Sequence, residues 1–424
     1  MRKKVLGRVM GALLSASMLI VMLPIHNQVK AAPTEYGVWI ANKQITSDNY
    51  TDVTGDGTIS YNPTSKTLTL KNANISTIGD NQSTGEPSCI YAKHDLTIEG
   101  SGKISYNTSY AIYGVDVEGG NLTLNCDLTI SLTSGYGFVG YGLKASGRIT
   151  INGGTIVCKC EGGSTHGIDA DTFIMNEGNV TVVGRIYGIL TRTSTVIKGG
   201  TLNCKGYGEY GTGAWGIDGA YGTISITGGN VTAYGRVDGI TSYGNISVTG
   251  GYVDASVASD TAGNSAIRIP DSGSGIITIG SKMWVRDGYI SDNQKSVITK
   301  TSSGTTRKKA IIEKAPDSYS VTVNNDGNGT GSANKTSGFT GEEITLSATP
   351  NPGYHFKQWQ VVSGGVTITN NKFTIGSSDV VIKAVFEADV RNITINNDGN
   401  GTASANKSTG IIGDVITLTA NPKP

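Results

Sequence analysis

Short alternations of apolar and polar residues, each closed by paired glycines, recur from Leu96 to Ile279. The units read Val115-Asp-Val-Glu-Gly-Gly120, Ile149-Thr-Ile-Asn-Gly-Gly154, Val196-Ile-Lys-Gly-Gly200, Ile224-Ser-Ile-Thr-Gly-Gly229 and Ile246-Ser-Val-Thr-Gly-Gly251, with Phe173-Ile-Met-Asn-Glu-Gly178 as a looser copy. Each is followed by a second alternating segment and then by a Gly/Ala-aliphatic step, at Ile112, Leu143, Ile168, Ile189, Ile217, Ile240 and Ile267. Period-two alternation predicts strands with one face buried, and self-similarity at this length predicts a solenoid. The expected fold is therefore all-β: a parallel β-helix of about nine coils from Ile90 to Ile290, with three short strands per coil. Paired glycines mark a bend where positive φ carries no steric penalty. Insertions between the double glycine and the next step place the longer loops at one corner of the coil.

Strand edges at the ends of such a body need covering. Tyr36–Ser76, with a hairpin over Gly55–Leu70, is expected to cover one end, and Ser296–Lys314 the other. A boundary falls near Lys314–Ser318, beyond which a second repeat with a period of 72 begins. Val321-Thr-Val-Asn-Asn-Asp-Gly-Asn-Gly-Thr330 recurs as Ile393-Thr-Ile-Asn-Asn-Asp-Gly-Asn-Gly-Thr402, and Ile344-Thr-Leu346 as Ile416-Thr-Leu418. The second copy stops at Pro424, before its aromatic segment, and the natural protein is expected to be longer. The organisation expected is a leader over 1–31, a β-helix domain over 33–315, a small β-rich domain over 319–388 and an incomplete copy over 389–424. In the first copy Tyr354, Phe356 and Trp359 are read as core residues.

The N-terminus changes the compartment. Arg2, Lys3, Lys4 and Arg8 precede an apolar run from Val9 to Ile25, and Val29-Lys-Ala31 fits a cleavage site, so the mature chain is expected to be secreted, without a membrane span. Loss of five cations leaves 29 against 33 acids, a balance of −4 that argues against nucleic acid as a partner. The odd number of cysteines (Cys89, Cys126, Cys158, Cys160 and Cys204) does not suit a disulfide framework. Counted from the second glycine of each unit, Leu122, Ile156, Val180, Leu202, Val231 and Val253 form one apolar column. Leu124, Cys158, Val182, Cys204, Ala233 and Ala255 form another. The same count puts Cys126 and Cys160 in neighbouring coils, about 5 Å apart and within disulfide reach, but buried free thiols are the expected state.

The chemistry-bearing residues are sparse. Asp169, Asp171, Asp218 and Asp238 could ligate calcium, but no column holds acids in adjacent coils. Arg185 and Arg236 recur seven residues past their glycines, and His94 and His166 have no repeated acidic partner. Asp52-x-Thr54-x-Asp56-Gly57 imitates half a calcium loop, yet its twelfth position is Pro63. No catalytic constellation emerges, so an enzyme is not expected, although a polysaccharide lyase stays open. The insertion corner offers aromatic residues instead. Tyr136, Phe138, Tyr141, Tyr207, Tyr210, Trp215 and Tyr234 are the candidate ligand-binding residues, since aromatic faces stack on sugar rings.

Gly55-Asp-Gly-Thr-Ile-Ser-Tyr61 and Thr67-Leu-Thr-Leu-Lys-Asn-Ala-Asn-Ile75, followed by the Ile-Thr-Ile-x-Gly-Gly coils, resemble carbohydrate-binding β-helix domains of clostridial surface proteins. That resemblance implies a right-handed helix, a Gram-positive surface protein, non-catalytic binding of a polysaccharide such as polygalacturonate, and an association with calcium. Gly341-Glu-Glu-Ile-Thr-Leu346 and Pro350-Asn-Pro-Gly-Tyr-His-Phe-Lys-Gln-Trp359 resemble divergent internalin-type B-repeats, which implies spacer or adhesion modules. A cell-surface carbohydrate-binding protein is the leading expectation. A stalk or adhesin for a protein partner is the alternative, and a lyase the third.

Overall fold

A computed structural model describes residues 31–80, 87–208, 213–258 and 263–424. The leader segment lies almost wholly outside the described residues. The described residues are all-β with no helix, a parallel β-solenoid of about seven turns followed by small β-sheet domains. No helix among the described residues is long and apolar enough to cross a membrane.

Each turn has a first strand beginning at the aliphatic step, a second strand ending at the glycine pair, and a third strand leading to the loop corner. Third strands stack in register from Leu128 through Ile156, Val180, Leu202 and Val231 to Val253. Their inward residues are fully buried, as are the step residues from Val115 to Ile267. The second glycine of the four pairs at this bend, Gly154, Gly200, Gly229 and Gly251, has φ between 75° and 80°. A Cβ on Gly200 would lie 2.4 Å from the Gly178 carbonyl oxygen of the turn before, so both torsion and close stacking demand glycine there. Beside this bend, exposed amides form a ladder: Asn152 Nδ2 donates to Asn125 Oδ1 at 2.9 Å, and Asn176 Nδ2 donates to Asn152 Oδ1 at 2.7 Å.

Where nine coils were expected the solenoid has about seven turns, with partial layers at both ends. At the N-terminal end, Glu35–Ile40 pairs antiparallel with Pro87–Ala92, and Thr67–Ile75 lies below Leu96–Asn107. At the other end, Lys309–Lys314 runs antiparallel to Tyr252–Val257 and stops the parallel stack. The hairpin of Ile59–Asn62 with Thr67–Ile75 forms as expected.

The register of the earliest turns differs from the glycine count. Leu143 pairs with Val115, so the step of that turn is Val115 and not Ile112. Gly119 and Gly120 pack against Lys93, His94 and Asp95 after a first strand, rather than at the bend shared by the other pairs. Leu122 and Leu124 therefore pair with Leu96 and Ile98 in second strands, while Leu128 and Ile130 occupy the places expected for them. Cys160 consequently pairs with Leu132, and Cys126 with Gly100 one turn lower. All five cysteines are free and buried. Burial pushes the Cys89 and Cys126 thiols up to about 12, which leaves them inert packing groups.

The domain beyond Lys314 packs Val321, Ile344, Leu346, Phe373, Ile375, Val380 and Ile382 into a separate core. Trp359 packs against that core, and Phe356 lies between Trp359 and Phe386, but Tyr354, Phe356 and Trp359 are half-buried rather than internal. In the following copy Leu418 is 65% exposed, whereas its counterpart Leu346 is 3% exposed.

Candidate functional site

The glycine of each step is imposed by the interior. A Cβ on Gly142 would stand 2.0 Å from Cys158 Sγ, one on Gly167 2.2 Å from Val182 Cγ1, and one on Gly188 2.4 Å from Cys204 Sγ. Third-strand side chains fill this corner, and the Cys158 and Cys204 thiols donate there to the carbonyls of Gly167 and Gly216. The residue before each glycine is thereby placed in one column on the outside of successive turns.

That column is aromatic. Tyr113 stacks on Tyr141 with ring centroids 5.0 Å apart, and His166 stands edge-on between Tyr141 (4.9 Å) and Tyr187 (4.8 Å). Tyr187 stacks on Trp215 at 5.0 Å. Asp238 and Ser265 continue the column without rings. These separations match the spacing of paired strands, about 4.8 Å, so the rings form a continuous ladder along the solenoid axis.

A charged column runs alongside, through Asp116, Lys144, Asp169, Leu190, Asp218, Thr241 and Arg268. Lys144 Nζ lies 4.7 Å from the Tyr113 centroid, 5.1 Å from that of Tyr141 and 4.0 Å from Asp116. Asp169 is buried and binds His166 Nδ1 at 3.0 Å and Arg192 Nη1 at 2.7 Å. Burial works to raise its pKa, but the bonds from His166 and Arg192 outweigh burial and hold it below the usual value. Asp238, fully buried, accepts both Nε and Nη2 of Arg268 and the backbone N–H of Ser265.

Burial pushes the Asp218 carboxyl up to about 6, reinforced by Asp238 and opposed by the bond it accepts from the Ala220 N–H. Its folded-state pKa is thus raised, and stability is lost as pH climbs from the unfolded value of 3.8 through about 6. The loss amounts to about 3 kcal/mol at neutral pH. Asp218→Asn keeps an acceptor for Ala220 and is expected to melt above the native protein at pH 7 but alongside it at about pH 3.5. Equal melting-point differences at both pH values would contradict this.

Exposed aromatics rim the face on both sides. At the loop corner Tyr110 and Phe138 meet edge to face at 5.6 Å, Tyr136 is 74% exposed, and Arg185 lies 5.2 Å over its ring. At the opposite corner Tyr221, 84% exposed, packs on Tyr243 at 5.2 Å. Of the residues expected to bind ligand, Tyr141 and Trp215 stand in the ladder and Tyr136 and Phe138 on its rim. Tyr207 is half-buried in the loop, and Tyr234 stands on the third strand with Lys205 Nζ 5.3 Å over its ring. Tyr210 lies outside the described residues. Tyr113, Tyr110, Tyr221 and Tyr243 were not among the expected residues, and His166 was considered only as an isolated histidine. The ladder does leave a signal, an aromatic or His directly before each step glycine in Tyr113-Gly-Val, Tyr141-Gly-Leu, His166-Gly-Ile, Tyr187-Gly-Ile and Trp215-Gly-Ile.

Arg185 and Arg236 bind the carbonyls of Gly163 and Gly208, and His94 that of Tyr36. Asp52 Oδ1 accepts the N–H groups of Gly55 and Gly57, while Asp56 Oδ1 accepts the hydroxyls of Thr54 and Thr58, which closes this loop on itself. Among the described residues no three His, Cys, Asp or Glu side chains converge as a metal would require. The charged column alternates acids with Lys144 and Leu190, so these residues do not fit calcium.

The family model described as carbohydrate-binding domain-containing protein matches residues 29–263, more than half of the chain, and the chain belongs to that family. A divergent InlB B-repeat domain matches residues 319–390. No curated protein and no solved structure matches the chain. The family supports carbohydrate binding with polysaccharide as partner, and the two domains together are consistent with an extracellular location.

Proposed function

We propose that this is a secreted or wall-associated, non-catalytic polysaccharide-binding protein whose aromatic face holds an acidic glycan such as polygalacturonate, with the B-repeat as a spacer. The observation that carries the reading is the ladder from Tyr113 to Trp215. The ladder rings pack on one another along the axis and Tyr113 is buried, so the rings from Tyr141 to Trp215 turn their edges outward. The turn spacing is close to the length of one pyranose unit, and a chain laid along the axis meets a ring edge at each of these turns. Acidic sugars are favoured because cations lie over the rings: Lys144 at Tyr113 and Tyr141, Arg185 at Tyr136 and Lys205 at Tyr234. A cation beside a ring can meet a uronate carboxylate while the ring packs against the sugar.

Turnover needs an acid or base aimed at the reacting atom. On this face Asp169 is engaged by His166 and Arg192, Asp238 by Arg268, and Asp218 accepts the Ala220 N–H. The full chain is expected to be retained by polygalacturonate equally with calcium and with chelator, without release of ultraviolet-absorbing unsaturated uronides. Appearance of those products would make the protein a lyase. Failure to bind any glycan would move the role to adhesion through a protein partner.

A further inference from the structure

Beyond Ser265 and Arg268 the face does not run out into solvent. The strand bridge between Arg268 and Ser296, and the bond from Ile269 N–H to the Lys295 carbonyl, seat the segment around Gly288–Thr301 across the end of the stack. Between that segment and the last step strand lies a cavity of about 640 Å³. This is within the range of small-molecule sites, roughly 300–1,000 Å³. Its walls include Asn264 from the loop corner, Arg268 from the charged column and Asp271 from the opposite corner, so it spans the width of the ladder face and stands in line with it. Most of it lies past residue 263, where the match to the carbohydrate-binding family ends.

Its chemistry differs from that of the open face. Asp238 fixes the Arg268 guanidinium through Nε and Nη2, leaving Nη1 without a bond among the described residues. Among the described residues Arg307 touches Ser296 Oγ through Nε, at 3.4 Å. Tyr289 lines the cavity and is 43% exposed. Lys295 Nζ ties the carbonyls of Gly273 and Gly275 at 2.7 Å each, which stiffens the adjoining wall. Asp271 and Asp292 supply carboxylates that can accept sugar hydroxyls. A guanidinium pair for a carboxylate, carboxylates for hydroxyls and a ring for an apolar face together describe a single uronic acid residue. The segment across the end stops a chain from passing through.

We propose that this cavity is a terminal subsite that takes the end residue of an acidic glycan chain, while the ladder holds the residues behind it. The proposal rests on the glycan reading above but can fail separately from it. Calorimetric titration of the full chain with trigalacturonic acid and with long polygalacturonate provides the test, comparing the native protein with Tyr289→Ala/Arg307→Gln. Both substituted residues are exposed, so folding should persist. The native protein should bind the trimer, and the variant should bind it at least about tenfold more weakly. Its affinity for the polymer should fall by less than about threefold, because the ladder still holds it. Fragmenting the polymer should raise native binding with the molar concentration of chain ends. Equal trimer binding by both proteins, or polymer binding with no trimer binding, overturns the terminal subsite and leaves the ladder reading standing. Trimer binding without polymer binding supports the subsite and sinks the ladder reading, and binding of neither sinks both.

Discussion

Gly142→Ala should destabilise the solenoid by about 3 kcal/mol, although it adds a single methyl group. The added carbon would meet Cys158 Sγ at 2.0 Å, the Gly167 carbonyl oxygen at 2.7 Å and Cys160 Sγ at 2.9 Å. One of these obstacles is backbone from the next turn, and all are buried, so relief requires the first and third strands to separate. Each turn contacts mainly its neighbours, and the loss should appear first as reduced hydrogen-exchange protection around Leu143, Ile168 and Cys158. Cys158→Ala alone should cost about 1 kcal/mol through lost packing. Combined with Gly142→Ala it should recover part of the damage, since the shortest collision is with its sulfur. Denaturant midpoints of the two single variants and the double variant measure this coupling. Additive losses would show that the glycine is not held by the thiol.

The same corner shows what sequence patterning could and could not reveal. Alternation gave the strands, and the bend glycines were legible because positive φ and stacking of turn on turn leave no other residue comfortable there. The register of the early turns was hidden by a coincidence: Gly119-Gly120 has the composition of the bend but follows a first strand. In that region the bend is made by Gly100, with φ of 88°, and by Asn72, with φ of 51°, neither of them in a pair. Aligning on the step glycine instead would have placed Tyr113, His166 and Tyr187 beside Tyr141 and Trp215. The partnership of His166, Asp169 and Arg192 was less accessible, because it joins two turns and depends on their register. Tyr221 and Tyr243 were overlooked for another reason. They lie at the corner with the shorter connections, where length alone gives no hint of a surface.

Replacing ladder rings should cost more binding than replacing any rim residue. Tyr141→Ala with Trp215→Ala removes two of the five ladder rings, and each lost ring should weaken polygalacturonate binding by about 1–2 kcal/mol. The pair should therefore lower affinity by at least about tenfold. Trp215 also donates its indole N–H to Asp238, so truncation disturbs a buried carboxylate as well as the stack. Trp215→Phe separates the two effects: it keeps a ring between Tyr187 and the solvent but removes the donor. Phenylalanine should retain most of the binding while lowering the melting temperature, whereas alanine should lower both. Tyr136→Ala with Tyr221→Ala provides the contrast, because both rings are exposed and neither supports the stack. Affinity electrophoresis in gels containing polygalacturonate would rank the variants. If the rim pair abolishes retention and the ladder pair leaves it intact, the ladder is a packing device and the sugar is held by the loops. The opposite order would place the glycan along the column, where repeating rings at one-turn spacing meet a repeating polymer.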